Sequence, residues 1–484
     1  MYLGIDLGTS GLKVILMNSE GELVASMTQA LTVSRPAPLW SEQDPTHWWQ
    51  ALDDCMLKLS KDYDLTHLRA MGLSGQMHGA TLLDSADNVL RPAMLWNDGR
   101  CEDQCIELEE VVPNSRDITG NIIMPGFTAP KLLWVKKHEP ELFSKVARVL
   151  LPKDYLRFLI TGEFATDMSD AAGTCWLDVE KRDWHDALLS ACSLQRSHMP
   201  ELFEGNQVSG YVKPDIAARW GISTIPVVAG AGDNAAGALG IGLINPGQAM
   251  ISLGTSGVYF IVSNGFESNP EQAVHSFCHA LPRRWHLMSV LLSAASCLQW
   301  FADNIARQSV SSLLEQLEHS KVEKSSAPIF LPYLSGERTP HNNPHAKGNF
   351  FGLSHSTDLA SLTYAVLEGV SFAFADGVEA VNQCGVTAQE ITVIGGGARS
   401  AYWRQMLADI LGTKVVFSED GVVGPALGAA RLAQLAINPN KEIELIFPTP
   451  KLAQVHQPSI DNTAIYQSRR KTFQALYKNL KSLF

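Results

Sequence analysis

The sequence predicts an α/β protein built as two similar domains that face each other across a cleft. Three observations carry this. The chain has 484 residues, and a single hydrophobic core stops growing near about 250–300 residues. The pentapeptide Leu7-Gly8-Thr9-Ser10-Gly11 returns unchanged as Leu253-Gly254-Thr255-Ser256-Gly257, 246 positions later. Apolar runs that end in glycine turns are followed by helical patterns, as expected of packed sheet and helix layers.

The elements follow in chain order. Tyr2 to Ile5 reads as a strand, Leu7 to Gly11 as its turn, and Val14 to Met17 as the returning strand of a hairpin. Asn18-Ser19-Glu20-Gly21 leads into a third strand over Leu23–Thr28. Ala70–Leu73 is a strand running into Ser74-Gly75 and Gln76-Met77-His78-Gly79. Leu95-Trp96-Asn97-Asp98-Gly99-Arg100 sits at another strand end. Pro226 to Val228 is a buried strand closed by Gly230-Ala231-Gly232. Asp233 then opens a small-residue helix, Ala235 to Leu239. The turn Asn245-Pro246-Gly247 divides the chain into 1–245 and 246–484. The hairpin repeats with strands at Ala249 to Ile251 and Val258 to Val262. Ile391 to Ile394 is a strand, Gly395-Gly396-Gly397-Ala398 its turn, and Tyr402 to Leu411 a helix. Gly424-Pro425-Ala426-Leu427-Gly428-Ala429-Ala430 starts another helix whose small residues suit close packing or ligand contact. A Pro-rich connector, Pro448 to Pro458, precedes an amphipathic helix from about Asn462 to Leu483.

Composition narrows the function classes. With 45% apolar residues, 37 Gly and 24 Pro the chain is neither disordered, collagenous nor coiled coil. Its 38 basic and 50 acidic residues give a net charge of −12, which speaks against a general nucleic-acid binder. The eight cysteines form no CxxC and read as reduced thiols of a cytosolic protein. Cys101 and Cys105 have helical spacing, but no second ligand pair follows them. No charge lies between Asp233 and Glu267, yet Asn245-Pro246-Gly247-Gln248 interrupts that stretch, so it reads as strand, turn and strand rather than a membrane span. The start shows no basic and apolar leader. The expectation is a cytoplasmic protein without membrane or nucleic-acid partners.

The repeated turn has a chemistry. Glycine lets backbone approach a ligand, and successive N–H groups in a turn form an anion-binding concavity. Thr9, Ser10, Thr255 and Ser256 add hydroxyls. Two such turns across a cleft would grip a polyphosphate from both sides. The copies differ where Asp6 precedes the first and Ser252 the second. A carboxylate beside one phosphate turn suits Mg²⁺, which binds through one or two carboxylates, waters and phosphates. Lys13 is either a further cation at that tip or a solvated strand lysine. Asp233 is either a helix N-cap or a general base at the carboxyl end of a strand. Met77, His78 and Trp96 offer the mix of polar and large apolar groups expected of a small-ligand pocket.

Other sites are weaker. No G-x-x-x-x-G-K-[ST] occurs, the protein-kinase motifs are absent, and the glycines at 395–397 lack the last glycine of a dinucleotide fingerprint. His341 and His345 flank Pro344, which breaks any helix that would align them on a metal. Gly336-Glu337-Arg338-Thr339-Pro340 is a charged turn suited to a phosphate contact or a surface salt bridge.

Together these motifs resemble those of the FGGY carbohydrate kinases over nearly the whole chain, and most closely the branch acting on D-xylulose. They are Asp6-Leu7-Gly8-Thr9-Ser10, Gln76-Met77-His78-Gly79, Leu95 to Arg100, Gly232-Asp233-Asn234, Leu253 to Gly257, Gly336 to Pro340 and Gly395 to Ala398. The resemblance implies two ribonuclease-H-like domains of the actin-like ATPase type flanking a deep catalytic cleft. It implies D-xylulose held by Met77, His78, Trp96, Asp233 and Asn234. It implies ATP with its phosphates on Gly8, Thr9, Ser10, Lys13, Gly254 and Thr255, and its adenine near Gly396 and Gly397. Asp233 matches the catalytic base, and Asp6 the aspartate linked to Mg²⁺ through water. Related glycerol kinases carry Arg at the Lys13 position. Another FGGY acceptor (ribulose, gluconate, glycerol or a deoxy-ketose) and, more distantly, an actin- or chaperone-like ATPase stay open. A homodimer is compatible with the sequence.

Overall fold

The computed structural model describes residues 1–418 and 424–484. Two seven-stranded sheets form its frame. The first contains β1 (Tyr2–Leu7), β2 (Gly11–Met17), β3 (Leu23–Ala30), β4 (Ala70–Gly75), β5 (Val208–Tyr211), β6 (Pro226–Val228) and β7 (Ala231–Gly232). Their order is β5-β6-β4-β1-β2-β3, with β7 also paired to β4. The second contains β8 (Ala249–Leu253), β9 (Gly257–Ser263), β10 (His275–Cys278), β11 (Trp285–Leu291), β12 (Glu390–Ile394), β13 (Lys414–Phe417) and β14 (Gln454–His456). Their order is β10-β11-β9-β8-β12-β13-β14.

The sequence repeat is a structural repeat. β1 and β2 pair antiparallel with Leu7 opposite Leu12, and β8 and β9 do the same with Leu253 opposite Gly257. Each opening strand then has a parallel neighbour from later in its own half, β4 for β1 and β12 for β8. Both central strands are buried on both faces, which is why their residues run continuously apolar rather than alternating.

The helices cover these sheets. Pro45–Asp62 packs its Trp48, Leu52, Met56 and Leu59 on the first sheet. Asp44 caps its start through the Thr46 N–H at 2.9 Å. Leu359–Asn382 is the central helix of the second half, and the tail helix Ile460–Leu480 packs against the same core through Tyr466, Phe473 and Tyr477. Leu359–Asn382 is long and apolar enough to cross a membrane, but 78% of its most apolar window is buried inside the protein, as befits a core helix. Between β4 and β5 lies a largely helical lobe, with helices Glu102–Val111, Thr128–His138 and Pro152–Thr161. Its core runs continuously into the second half, joining Met77, Phe127 and Trp176 to Phe277 and Met288.

Packing also crosses the turn at Asn245. Helix Gly424–Ile437, late in the chain, lies on the first sheet and across helix Asp233–Gly240. The approach is backbone on backbone. A Cβ on Gly4 would stand 1.9 Å from the Ala426 carbonyl oxygen, one on Gly72 2.2 Å from that of Ala429, and one on Gly428 1.9 Å from that of Ala236. The small-residue stripe at Gly424–Ala430 is therefore explained by helix packing.

All eight cysteines are unpaired, seven of them buried. The connector at Pro448–Pro458 differs from expectation by holding an edge strand, β14, antiparallel to β13. Three alternating residues suffice there because only one edge needs a partner.

Candidate active site

The strand register gathers the predicted residues at one edge. In the first sheet Leu7, Gly75 and Gly232 stand abreast on β1, β4 and β7. The residues that follow, Gly8, Gln76 and Asp233, therefore leave the same carboxyl edge. In the second sheet Ser252 stands beside Ile394 on parallel strands, so the turn at Gly254 and the glycines at 395–397 leave their sheet together. Ligands of open α/β sheets bind at such carboxyl edges.

Each hairpin turn leaves donors free. Gly8 spends its N–H on the Gly11 carbonyl at 3.0 Å, but among the described residues the N–H groups of Thr9 and Ser10 take no protein acceptor. The same holds for Thr255 and Ser256. The second turn is braced from behind, because Ala294 and Ala295 donate to the carbonyls of Thr255 and Gly254 at 3.0 and 2.8 Å. Gly395 abuts this turn, where a Cβ would meet the Leu253 carbonyl oxygen at 2.8 Å, whereas Gly396 opens on free space. Gly254, Thr255, Gly396 and Gly397 are thus brought together at one edge of the second sheet, with a free N–H group at Thr255 and open space at Gly396.

The acidic pair lies on the other side. Asp6 and Asp233 are separated by β4, about 9–10 Å between backbones at two strand spacings. The carboxyl of Asp6 is pushed up to about 6 by burial, opposed by the Ser74 hydroxyl and by Lys13. Its Oδ1 is buried without a hydrogen-bond partner. A buried, unpartnered carboxylate oxygen beside a phosphate-shaped turn fits a hydrated Mg²⁺. Lys13 stands directly across the hairpin from Asp6 and is partly exposed.

Asp233 is not a helix cap. It is the first residue of helix Asp233–Gly240, whose N-cap is Gly232. Instead its Oδ1 accepts from the Asn234 N–H at 2.7 Å and the Asn234 Nδ2 at 2.9 Å, while Oδ2 takes no protein donor among the described residues. Burial first, and the Asp6 carboxylate second, push Asp233 up to about 7. A carboxyl with one free oxygen and an acid constant near neutrality is suited to general-base work.

Met77 and His78 line the floor beside it. A Cβ on Gly232 would strike Met77 Cγ at 2.9 Å, so Met77 lies against the strand end that presents Asp233. His78 has φ +70°, and its Nδ1 sits 2.6 Å from the Gly173 carbonyl oxygen. Facing an acceptor, Nδ1 must carry the proton. Burial pushes the imidazole down to about 3, so Nε2 is a bare acceptor for a hydroxyl.

Trp96 ties its loop to the first hairpin turn and to Gln76. Its indole N–H donates to Thr9 Oγ1 at 2.9 Å, and Thr9 Oγ1 donates in turn to Gln76 Oε1 at 2.8 Å. The Thr9 hydroxyl is thereby engaged within the protein, leaving its backbone N–H for a ligand. Gln76 Nε2 continues to Gln43 Oε1 at 2.9 Å, which also accepts from Trp48. The Trp96 loop is held by Asp98, which accepts from the Ser41 N–H and pairs with Arg100, itself stacked on Trp40 at 3.5 Å. Gln43 and Ser41 were not singled out from the sequence, and Gln76 entered only as the first residue of the Gln76-Met77-His78-Gly79 motif. Lone polar residues carry no periodic signal.

Glu337 and Arg338 are no surface salt bridge. Glu337 is buried, accepts from the Leu292 and Arg338 N–H groups at 3.0 and 2.8 Å, and is pushed up to about 8 by burial. Arg338 Nη1 turns instead to His275 Nε2 at 3.3 Å. His341 bonds Tyr333 and stacks on Tyr477, and no metal-ligating group of three or more acidic, His or Cys residues occurs among the described residues.

Comparison with known proteins places this geometry. The N-terminal domain model of the FGGY family of carbohydrate kinases matches residues 1–240, and its C-terminal domain model matches residues 249–437. A xylulose kinase of Escherichia coli K12 is 60% identical over 484 residues, covering all of both chains. One of Klebsiella pneumoniae is 58% identical over 485 residues with the same coverage. A crystal structure described as a xyloylose kinase from Brucella ovis superposes with TM-score 0.96 at 45% identity, covering 100% of each chain. A xylulose kinase structure from Rhodospirillum rubrum gives TM-score 0.92 at 27% identity over 100% of this chain and 99% of that one.

Proposed function

This chain belongs to the FGGY family of carbohydrate kinases, and from that premise we propose that it transfers the γ-phosphoryl group of ATP to O5 of D-xylulose. The products are D-xylulose 5-phosphate and ADP, as a step in xylose breakdown. Full-length identity of 60% to a xylulose kinase supports the acceptor. The observation that carries the chemistry is Asp233, with its free Oδ2 and a carboxyl poised near neutrality.

The first half, residues 1–245, holds the sugar, and the second, 246–484, holds ATP. Met77, His78, Trp96 and Asn234 shape the sugar site. His78 accepts one sugar hydroxyl at Nε2, which fixes orientation without changing its own protonation. Asp233 Oδ2 takes the O5 proton as the O5–phosphorus bond forms and the bond from phosphorus to the leaving ADP oxygen breaks. The free N–H groups of the two hairpin turns, with Lys13, hold phosphoryl oxygens as charge shifts among them. Asp6 would hold Mg²⁺ through water together with the phosphates. When bound, that ion supplies charge neutralisation and an orienting template. Asn234 keeps Asp233 Oδ1 occupied, so Oδ2 is the oxygen presented to substrate. The protein works in the cytoplasm, and its partners are these two small molecules.

The test is ADP formation with Mg²⁺ against a panel of D-xylulose, ribulose, gluconate and glycerol. D-xylulose should give by far the highest kcat/KM. Turnover on another polyol well above that on D-xylulose would overturn the acceptor assignment.

A further inference from the structure

A group of charged side chains lies fully buried in the lobe between β4 and β5. Lys153 Nζ sits 2.6 Å from Asp154 Oδ1, 2.8 Å from Asp167 Oδ1 and 3.0 Å from Asp170 Oδ2, and all four side chains are 0% exposed. Such a cluster is costly to bury, and removing one partner leaves another charge buried and unpaired. It ties down a short segment, Asp167 to Thr174, that reaches the active site twice.

The first reach is through Ser169. Asp167 Oδ2 accepts from the Ser169 N–H at 2.8 Å, from the Asp170 N–H at 3.2 Å and from the Ser169 hydroxyl. With its proton committed to Asp167, the Ser169 hydroxyl has only lone pairs to offer, and it accepts the Gly232 N–H at 3.1 Å. Gly232 immediately precedes Asp233 and has no side chain with which to fix its own direction. The second reach is the Gly173 carbonyl, which holds His78.

We propose that Ser169 and Asp167, anchored on Lys153, are positioning residues for Asp233. They act through the Gly232 backbone, holding the carboxylate where the sugar hydroxyl arrives. A base displaced by a fraction of an ångström still leaves a site that binds, but one that reacts slowly. The proposal rests on Asp233 being the base, and its test separates the two.

Ser169→Ala and Ser169→Cys are made in the full chain, with Asp233→Asn as control. Cysteine keeps the shape of serine but accepts hydrogen bonds weakly, so it carries the test if the alanine variant does not fold. Both Ser169 variants should lose kcat by about tenfold or more, while KM and calorimetric affinity for D-xylulose stay within about threefold. A Ser169→Cys enzyme with wild-type kcat overturns the proposal, as does a parallel loss of kcat and sugar affinity. If Asp233→Asn is inactive while Ser169→Cys turns over normally, only the positioning role falls. If Asp233→Asn turns over normally, the base assignment itself falls.

Discussion

Replacing Asp233 by Asn should abolish turnover and stabilise the fold, and the two effects have one cause. Asn is nearly isosteric, and its carbonyl oxygen can still accept from the Asn234 N–H and side-chain amide, as Asp233 Oδ1 does. No packing changes, but the base is gone. The expected loss in kcat is roughly 10²–10⁴-fold, or about 2.7–5.5 kcal/mol of barrier. Stability moves the other way. The carboxyl is held at about 7 in the fold against an ordinary 3.8, so the folded protein resists its ionisation. Each tenfold in acid constant is worth about 1.4 kcal/mol, which sets an upper bound of about 4 kcal/mol. The residue is only half-buried, so a gain of about 1–4 kcal/mol is the working range. The sign follows from linkage. Below pH 3.8 the group is protonated in both states and contributes nothing. Between 3.8 and 7 the unfolded chain releases the proton first, so wild-type stability falls as pH rises, and above 7 the full penalty is present. Thermal or urea unfolding of the ligand-free protein should therefore show Asp233→Asn and wild type alike near pH 4 and the variant more stable at pH 8. An Asn variant less stable than wild type at pH 8 would refute the burial argument. One that keeps more than a tenth of wild-type kcat would refute the assignment of the base.

Three further outcomes follow from the geometry. His78→Phe keeps a ring beside Phe127 but loses the Nε2 acceptor, so KM for D-xylulose should rise about five- to tenfold, the worth of one neutral hydrogen bond, with kcat changed less; steady-state kinetics read the split. Wild-type rates should also show no histidine limb between pH 5 and 9, since His78 sits near 3. Gly428→Ala should destabilise by at least about 2 kcal/mol in urea unfolding, although Gly→Ala inside a helix ordinarily stabilises by up to about 1 kcal/mol. The reversal arises because the new methyl would meet the Ala236 carbonyl oxygen at 1.9 Å.

The legible parts of this protein are those with local grammar. The two hairpins, the strand at Ile391 to Ile394 and the helix to Leu411 were readable because an apolar run and a glycine turn fix both an element and its end. Asp233 stood out because it follows a buried strand, although the sequence alone left open whether it capped a helix. The resemblance to a sugar kinase family then assigned roles that spacing could not. What escaped has no local pattern. Lys153 and Asp154 look like the polar face of an amphipathic helix, and only three-dimensional neighbours reveal them as buried. Gln43 and Gln76 meet across 33 residues of sequence separation. The return of Gly424–Ile437 to the first sheet was signalled faintly by glycines inside β1 and β4, since a glycine in a strand interior often marks a close backbone approach. The residues between Ser418 and Gly424 lie outside those described.

The glycine floor has a consequence for anyone who reads substitution data on this chain. A side chain at Gly4, Gly72 or Gly428 would strike a backbone carbonyl oxygen, yet none of the three belongs to the candidate site. A saturation library scored by activity would mark all three as indispensable, on the same map and at the same depth as Asp6 and Asp233. Scored by soluble yield, the glycines would still be marked and the aspartates would not. The ratio of those two scores, position by position, separates residues that do the chemistry from residues that merely let two pieces of backbone touch.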